Sequence, residues 1–273
     1  MARDPRSPSG LSGFDGCAVS VVVLVSAKGA PGVSLAGWGL LHCWPRNVVG
    51  VEADVSGGSW ALTHGLTCDP GLADLAAEQG VITEEALARC SVAIGVGKRM
   101  VCAPREPIHV RRSLTWLGDR LAAWPEHLDV IVDAGRVDPT VENPLLGRAD
   151  ALVVCTHTTA AALSATAALL EALDRVVRSD VLVRVVTVGD TPYSPEEAVE
   201  TLRHFAGPRL HVELGAALPN DQRLVSVLVG GGRKAGRVCS SWYGRLASEL
   251  ASSTAYRSAP TLGASLVRTG GVA

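Results

Sequence analysis

Aromatic side chains are scarce in this chain: two phenylalanines, three tyrosines and six tryptophans among 273 residues. Apolar residues still make up 47% of it, so any core must be built from Ala, Val and Leu. No run of apolar residues approaches the ~18 needed for a membrane-spanning helix, and no transmembrane segment is expected. The seven cysteines (17, 43, 68, 90, 102, 155 and 239) are odd in number, scattered and never in C-x-x-C spacing. That pattern excludes a zinc ribbon and speaks against a disulfide framework; it reads as buried thiols in a cytoplasmic protein. The seven histidines have no H-x3-H partnering with them, and His42 beside Cys43 reads as a packed helix residue. The net charge of −2 argues against broad electrostatic attraction to nucleic acid or to an anionic membrane, and nucleic acid stays open as a partner only through a local patch. The local basic stretch with Lys98, Arg99, Arg105, Arg111 and Arg112 lacks interleaved aromatics and reads as a solvated face, with an interaction surface for nucleic acid or an acidic partner as the alternative. Residues 1–16 are rich in Pro, Ser and Gly without the apolar h-region of a signal peptide, and are expected to be a disordered tail.

What is present begins with Val21-Val22-Val23-Leu24-Val25, a continuous apolar run that reads as a buried strand. It breaks into Ser26-Ala27-Lys28-Gly29-Ala30-Pro31-Gly32-Val33, after which Ser34 opens a segment with helical apolar spacing through Leu35, Trp38 and Leu41. In a strand, tight loop and helix so joined, loop amides and the positive helix end converge where an anion fits. A second apolar run, Val48 to Val51, ends in Glu52-Ala53-Asp54 before a loop with Gly57 and Gly58. Acids at the carboxyl end of a parallel strand lie where open α/β sheets bind ligands. A third stretch, Leu128-Asp129-Val130-Ile131-Val132, mostly apolar, ends in Asp133-Ala134-Gly135, the form in which a carboxylate holds the water shell of a metal.

The strict pattern G-x-x-x-x-G-K-[ST] keeps only Gly32 and Ser34 here. The deviant form K-G-G-x-G-K-[ST] matches at Lys28, Gly29, Gly32 and Ser34 and departs at Ala30 and Val33. With Glu52-x-Asp54 and the Asp133 strand in the same order, the chain resembles the ParA/MinD family of deviant Walker ATPases, in an actinobacterial MinD-like branch, from about Cys17 to Leu250. The resemblance implies ATP and Mg²⁺ as cofactors. It implies that Lys28 reaches across a homodimer interface to the partner's phosphates and that Ser34 and Asp133 hold the metal, partly through water. It implies that Asp54 orders the attacking water, and that residues 28–34, including Ala30, Pro31 and Val33, enclose the phosphates. Asp54 could equally cap the helix that follows. Val33 stands where the family has the lysine that meets the β/γ-phosphates, and it supplies neither charge nor donor. Pro31 offers one amide fewer.

Further along, helical segments are expected at Gly71 to Gln79 and Thr83 to Cys90, with a short strand near Met100 to Ala103. Ala149 to Thr156 reads as a strand, Thr158 to Leu173 as a helix, and Val181 to Val188 as another strand. Ser194-Pro195-Glu196-Glu197 opens a helix with Ser at the N-cap and Pro at N1. The last strand is expected at Leu210 to Leu214, and a closing helix at Ser241 to Leu250. By the resemblance, Asp190 and Pro192 approach the nucleotide base, and Pro219 and Asn220, in a segment like the family's I-P-x-D, flank the adenine. No N-K-x-D guanine-reading motif occurs.

The alternation of strands and helices predicts a single α/β P-loop NTPase-like domain over 17–252, with a mostly parallel sheet of about seven strands covered on both faces. Residues 253–273 are expected to be a flexible tail, without the long basic amphipathic helix of a membrane anchor. The function expected is a ParA/MinD-type dimerisation switch with weak ATP hydrolysis, serving partitioning, septum placement, or pilus or secretion assembly through a protein partner. A non-catalytic scaffold that keeps the fold is the alternative. A small-molecule transferase has only the generic α/β pattern behind it.

Overall fold

The computed structural model describes residues 20–28, 32–67, 69–78, 80–125, 127–138, 140–220, 226 and 232–258. Strand β1 (Val21–Ser26) is buried at every position, as a strand covered on both faces must be. It lies between β5 (Asp129–Arg136) and β6 (Ala151–His157), parallel to both. Beyond β5 come β2 (Val48–Glu52), then β4 (Lys98–Val101) and β3 (Val92–Gly95); beyond β6 come β7 (Leu182–Val188) and β8 (His211–Leu218). The order is β3-β4-β2-β5-β1-β6-β7-β8, with only the β3–β4 pair antiparallel. The eighth strand is the short edge strand β3, whose four residues Val92-Ala93-Ile94-Gly95 are all apolar yet alternate between half-buried and exposed.

The amino end of β1 is held by carboxylates from both neighbours. Asp129 Oδ1 accepts the Ser20 amide at 3.0 Å and Asp150 Oδ2 accepts the Val21 amide at 2.9 Å. Asp129 also takes Trp44 Nε1 at 2.7 Å and Arg46 Nε at 2.6 Å, and Asp150 takes Arg178 Nη2 at 2.7 Å. Each acid is thus buried with its charge satisfied.

Two apolar layers cover the sheet. One face packs against α3 (Leu72–Ala77), α4 (Glu84–Arg89), α5 (Pro107–Arg120), α6 (Ala160–Val176) and α7 (Pro195–Phe205), with Leu75, Leu117, Leu170 and Leu202 meeting Val23, Val132, Val154 and Val185 in one cluster. The other packs against α1 (Val33–Cys43), Trp60 of α2 (Trp60–His64) and the last helix, α8 (Gly232–Ser258). Enclosed between sheet and α8, α1 is apolar nearly all round. Its glycines permit the approach: a β-carbon on Gly37 would lie 3.2 Å from the Trp60 ring, and one on Gly39 would lie 2.2 Å from the Tyr243 ring.

Local signals place the helix starts. Thr83 accepts the Ala86 amide at 3.1 Å, and Ser194 and Glu197 form a reciprocal capping box ahead of Pro195. Helix α8 begins before Ser241 and runs past Leu250, because no Gly or Pro interrupts the chain between Leu246 and Ser258, and Pro260 lies just beyond. The segment expected to flank the adenine continues into residues 221–225, which lie outside the described residues, as do 1–19 and 259–273.

Candidate functional site

The carboxyl ends of β1, β2 and β5 meet at one place, and the register puts their acids there. Glu52 is opposite Asp133 across β2 and β5, and the Ala53 amide donates to the Asp133 carbonyl at 2.8 Å. Ser26, at the end of β1, is opposite Arg136 and accepts the Val137 amide at 2.9 Å. After Lys28 the chain passes through residues 29–31, outside the described residues, and re-enters at Gly32. Gly32 has φ 79° and accepts the Ala36 amide, starting α1. That left-handed conformation is the one a side chain resists, so the glycine is needed for the turn.

Asp133 has no solvent exposure. Its Oδ1 accepts the Gly135 amide at 3.0 Å, while Oδ2 has no hydrogen-bond partner. Burial pushes its pKa up to about 7; the Ser34 hydroxyl pulls it down, and the nearby Glu52 and Asp54 carboxylates raise it further. An unpartnered buried carboxylate oxygen costs free energy unless a proton or a cation satisfies it. The donor set beside it, a hydroxyl with carboxylates, is the hard-oxygen chemistry that suits Mg²⁺. No group of three or more His, Cys, Asp or Glu side chains is placed to hold a metal among the described residues. An ion at Asp133 would therefore take much of its shell from Ser34, water and phosphate, as Mg²⁺ commonly does.

Asp54 reaches this point from β2. Its Oδ1 accepts the Ser56 amide at 2.7 Å, and its carbonyl accepts the Gly57 amide at 3.0 Å, a local turn. It does not cap α2: the N-cap there is Ser59, without a side-chain capping bond. A β-carbon on Gly135 (φ 61°) would lie 2.1 Å from Asp54 Oδ2, so the Asp54 carboxylate rests on the backbone just past Asp133.

Glu52, named in the sequence motif without a role, holds this loop. One of its oxygens accepts Ser59 N at 2.6 Å, Trp60 N at 2.9 Å and Ser59 Oγ at 3.3 Å; the other accepts Ala103 N at 3.0 Å. Burial raises its pKa, and these donors offset part of that. The loop is also pressed against the chain after β4, where a β-carbon on Gly58 would meet the Ala103 carbonyl at 2.2 Å.

Lys28 is exposed at the rim, Ser34 is half-buried in the first turn of α1, and Gly29, Ala30 and Pro31 lie outside the described residues. Val33 is buried, 6% exposed, in the same cluster as Leu24, Ala36 and Trp60. Arg136, which the sequence reading passed over although it directly follows Gly135, is an exposed cation beside the end of β1. The ends of β6, β7 and β8 gather the second group. Gly189 N donates to the Leu218 carbonyl at 2.8 Å, and a β-carbon on Gly189 would lie 3.5 Å from Thr158 Oγ1 and 3.8 Å from Asn220 Cβ. Gly189, just before Asp190, thus lies against Asn220, and Thr158, read in the sequence only as the start of a helix, donates to the Thr191 carbonyl at 3.2 Å, next to Pro192 in the chain.

The sequence matches no protein-family model, and no curated protein matches it. Solved structures do match. The septum site-determining protein MinD of Pyrococcus horikoshii, complexed with Mg-ADP, has a TM-score of 0.64 at 16% identity, over 85% of this chain and 96% of that one. The fold is that of the MinD and ParA ATPases. A ParA family ATPase from Chlorobium tepidum has a TM-score of 0.63 at 16% identity over 87% and 98% of the two chains. The ATP complex of a McdA variant from Cyanothece has 0.62 at 12% identity over 87% and 97%. Within the MinD/ParA fold, Lys28, Gly32 and Asp133 lie at the carboxyl edge of the central strands, where such open sheets bind ligands. Among the described residues, no helix is long and apolar enough to cross a membrane.

Proposed function

We propose that this chain is a ParA/MinD-type nucleotide switch, in which ATP and Mg²⁺ bind at the carboxyl edge of the sheet and draw two copies together. The observation that carries the reading is Asp133, a fully buried carboxylate whose Oδ2 is unpartnered beside the Ser34 hydroxyl. Ser34 and Asp133 would hold the metal, and the loop from Gly29 through Ala30, Pro31, Gly32 and Val33 would enclose the phosphates. Mg²⁺, when bound, neutralises phosphate charge. Lys28 would bring its ammonium to the partner copy's phosphates, and Arg136 would add a cation from the same chain. Asp54 would orient a water, with Glu52 and Gly135 fixing its position. Asp190, Pro192, Pro219 and Asn220 would flank the base. The neighbours carrying Mg-ADP and ATP support this choice of cofactors. The deviant loop, the actinobacterial affinity, a cytoplasmic location, slow hydrolysis and a protein partner in a partitioning, septum or secretion assembly belong to the same reading.

Titration calorimetry with a non-hydrolysable ATP analogue and Mg²⁺, with light scattering on the same samples, tests it. Saturable binding with a doubling of mass is the expected result, and Lys28→Ala should lose the doubling. Equal nucleotide-dependent dimerisation of parent and variant would falsify the role of Lys28.

One observation favours a second reading, a non-catalytic scaffold acting through protein contacts: Val33 is part of the core where the family's lysine would meet phosphate. That reading expects no binding at millimolar nucleotide and a gain of binding in Val33→Lys. Hydrolysis by the unmodified chain would count against it.

A further inference from the structure

Helices α1 and α8 meet closely along a line of matched residues. The absent side chain of Gly39 makes room for the buried Tyr243 ring. One turn further along α1 is Cys43, and one turn back along α8 is Cys239, and the two thiols lie against each other beside the Tyr243 ring, so the helices run in opposite directions at this contact. Each thiol acts on the other's proton, lowering the pKa of Cys43 and raising that of Cys239. Both are free thiols; Cys239 is 1% exposed and Cys43 is half-buried. Lys98 Nζ donates to the His42 carbonyl, which brings an ammonium next to Cys43.

We propose that Cys43 and Cys239 form an oxidisable dithiol, a modification site at which a peroxide converts the pair to a disulfide joining α1 to α8. Cys43 is the attacking sulfur because solvent reaches it and not Cys239. The Cys239 thiol, then Lys98 and Ser240, pull the Cys43 thiol down in pKa, against the effect of burial, and Cys43 pushes Cys239 up. The Cys43 thiolate attacks one peroxide oxygen: an S–O bond forms, the O–O bond breaks, and hydroxide leaves and takes a proton. Cys239 then attacks the Cys43 sulfenic acid; the S–S bond forms, the S–O bond breaks, and the thiol proton leaves with the hydroxyl as water. Two thiols and one peroxide become one disulfide and two waters. Cys90, Cys102 and Cys155 are buried, and burial raises the pKa of Cys90 and Cys155, so they compete poorly for the oxidant.

The test uses the full reduced chain. It is treated with substoichiometric hydrogen peroxide, alkylated, digested without reductant and read by mass spectrometry. The expected product is a peptide pair linked through Cys43 and Cys239, at least about tenfold more abundant than any other pairing and abolished by dithiothreitol. Unfolding the chain in guanidinium before oxidation should remove that preference. In C239S, Cys43 should accumulate as a sulfenic acid trapped by dimedone, whereas C43S should leave Cys239 unoxidised. Oxidation of Cys43 on the unmutated folded chain without a linked peptide, or dominance of another pair, overturns the proposal. Because the linked peptide is read on the unmutated chain, a variant that folds poorly does not blur the outcome.

Discussion

The carboxylate of Asp54 lies on the α-carbon of Gly135, close enough that a β-carbon there would sit 2.1 Å from Oδ2. Two segments far apart in the chain, the loop after β2 and the end of β5, therefore define one wall of the site together. Neither can move without the other.

Replacing Gly135 by alanine should break this contact. Alanine is strained at φ 61° and its methyl displaces Asp54, a cost of about 1–3 kcal/mol in unfolding free energy. Urea denaturation reads it. A Gly135→Ala chain as stable as the parent would show that the two segments have slack between them.

Asp133 makes stability depend on pH in a direction opposite to that of most carboxylates. The folded state keeps the proton up to about pH 7, while the unfolded chain releases it near the ordinary value of 3.8. Between those values the folded state binds more protons, so stability falls as pH rises, and the full loss is reached above about pH 7. In metal-free buffer, Asp133→Asn should match the parent near about pH 4 and exceed it by about 2–4 kcal/mol at about pH 8. Parallel stability curves for the two chains would remove the buried charge from the account.

Glu52 is expected to set the order of the loop that bears Asp54. In Glu52→Ala the amides of Ser59, Trp60 and Ala103 lose their acceptor, a loss of about 2–4 kcal/mol, because the Trp60 and Ala103 amides are buried donors left unpaired. Hydrogen exchange resolves it: those three amides should exchange at least about tenfold faster while β6 and β7 stay protected. Uniform acceleration across the sheet would mean that Glu52 supports the whole domain and not the loop.

Arg136 is the cation to remove if nucleotide binding is found. Exposed and adjacent to the end of β1, it should tolerate Arg136→Ala within about 0.5 kcal/mol of stability, while nucleotide affinity drops by about tenfold or more. Unchanged affinity in titration calorimetry would leave Lys28 as the cation to test.

The α/β alternation, the buried strands β1, β5, β6 and β7 and the placing of Ser34, Asp54 and Asp133 were legible in the sequence, because continuous apolar runs ending in an acid or a Gly loop carry that information in one stretch. The role of Glu52 was not, since its donors come from residues 59, 60 and 103 and only the folded loop gathers them. Arg136 and Thr158 stood beside motifs that were read, but which residues line a rim depends on register across strands. The short strand β3 was hidden because an apolar run of only four residues does not tell strand from helix or loop, and the reach of α8 past Leu250 was missed because small polar residues resemble a fraying end.

The five residues Val21 to Val25 look nearly alike from either side, and both sides are covered, so sliding this strand by two positions would bury almost the same surfaces. Asp129 and Asp150, each gripping one amide at the head of β1, act as an index mark that a slipped strand would miss. A degenerate stretch of valines is given a single zero point at its entrance. The distance from that mark to Lys28 and Ser34 is what makes the far end of the strand arrive where Asp133 waits.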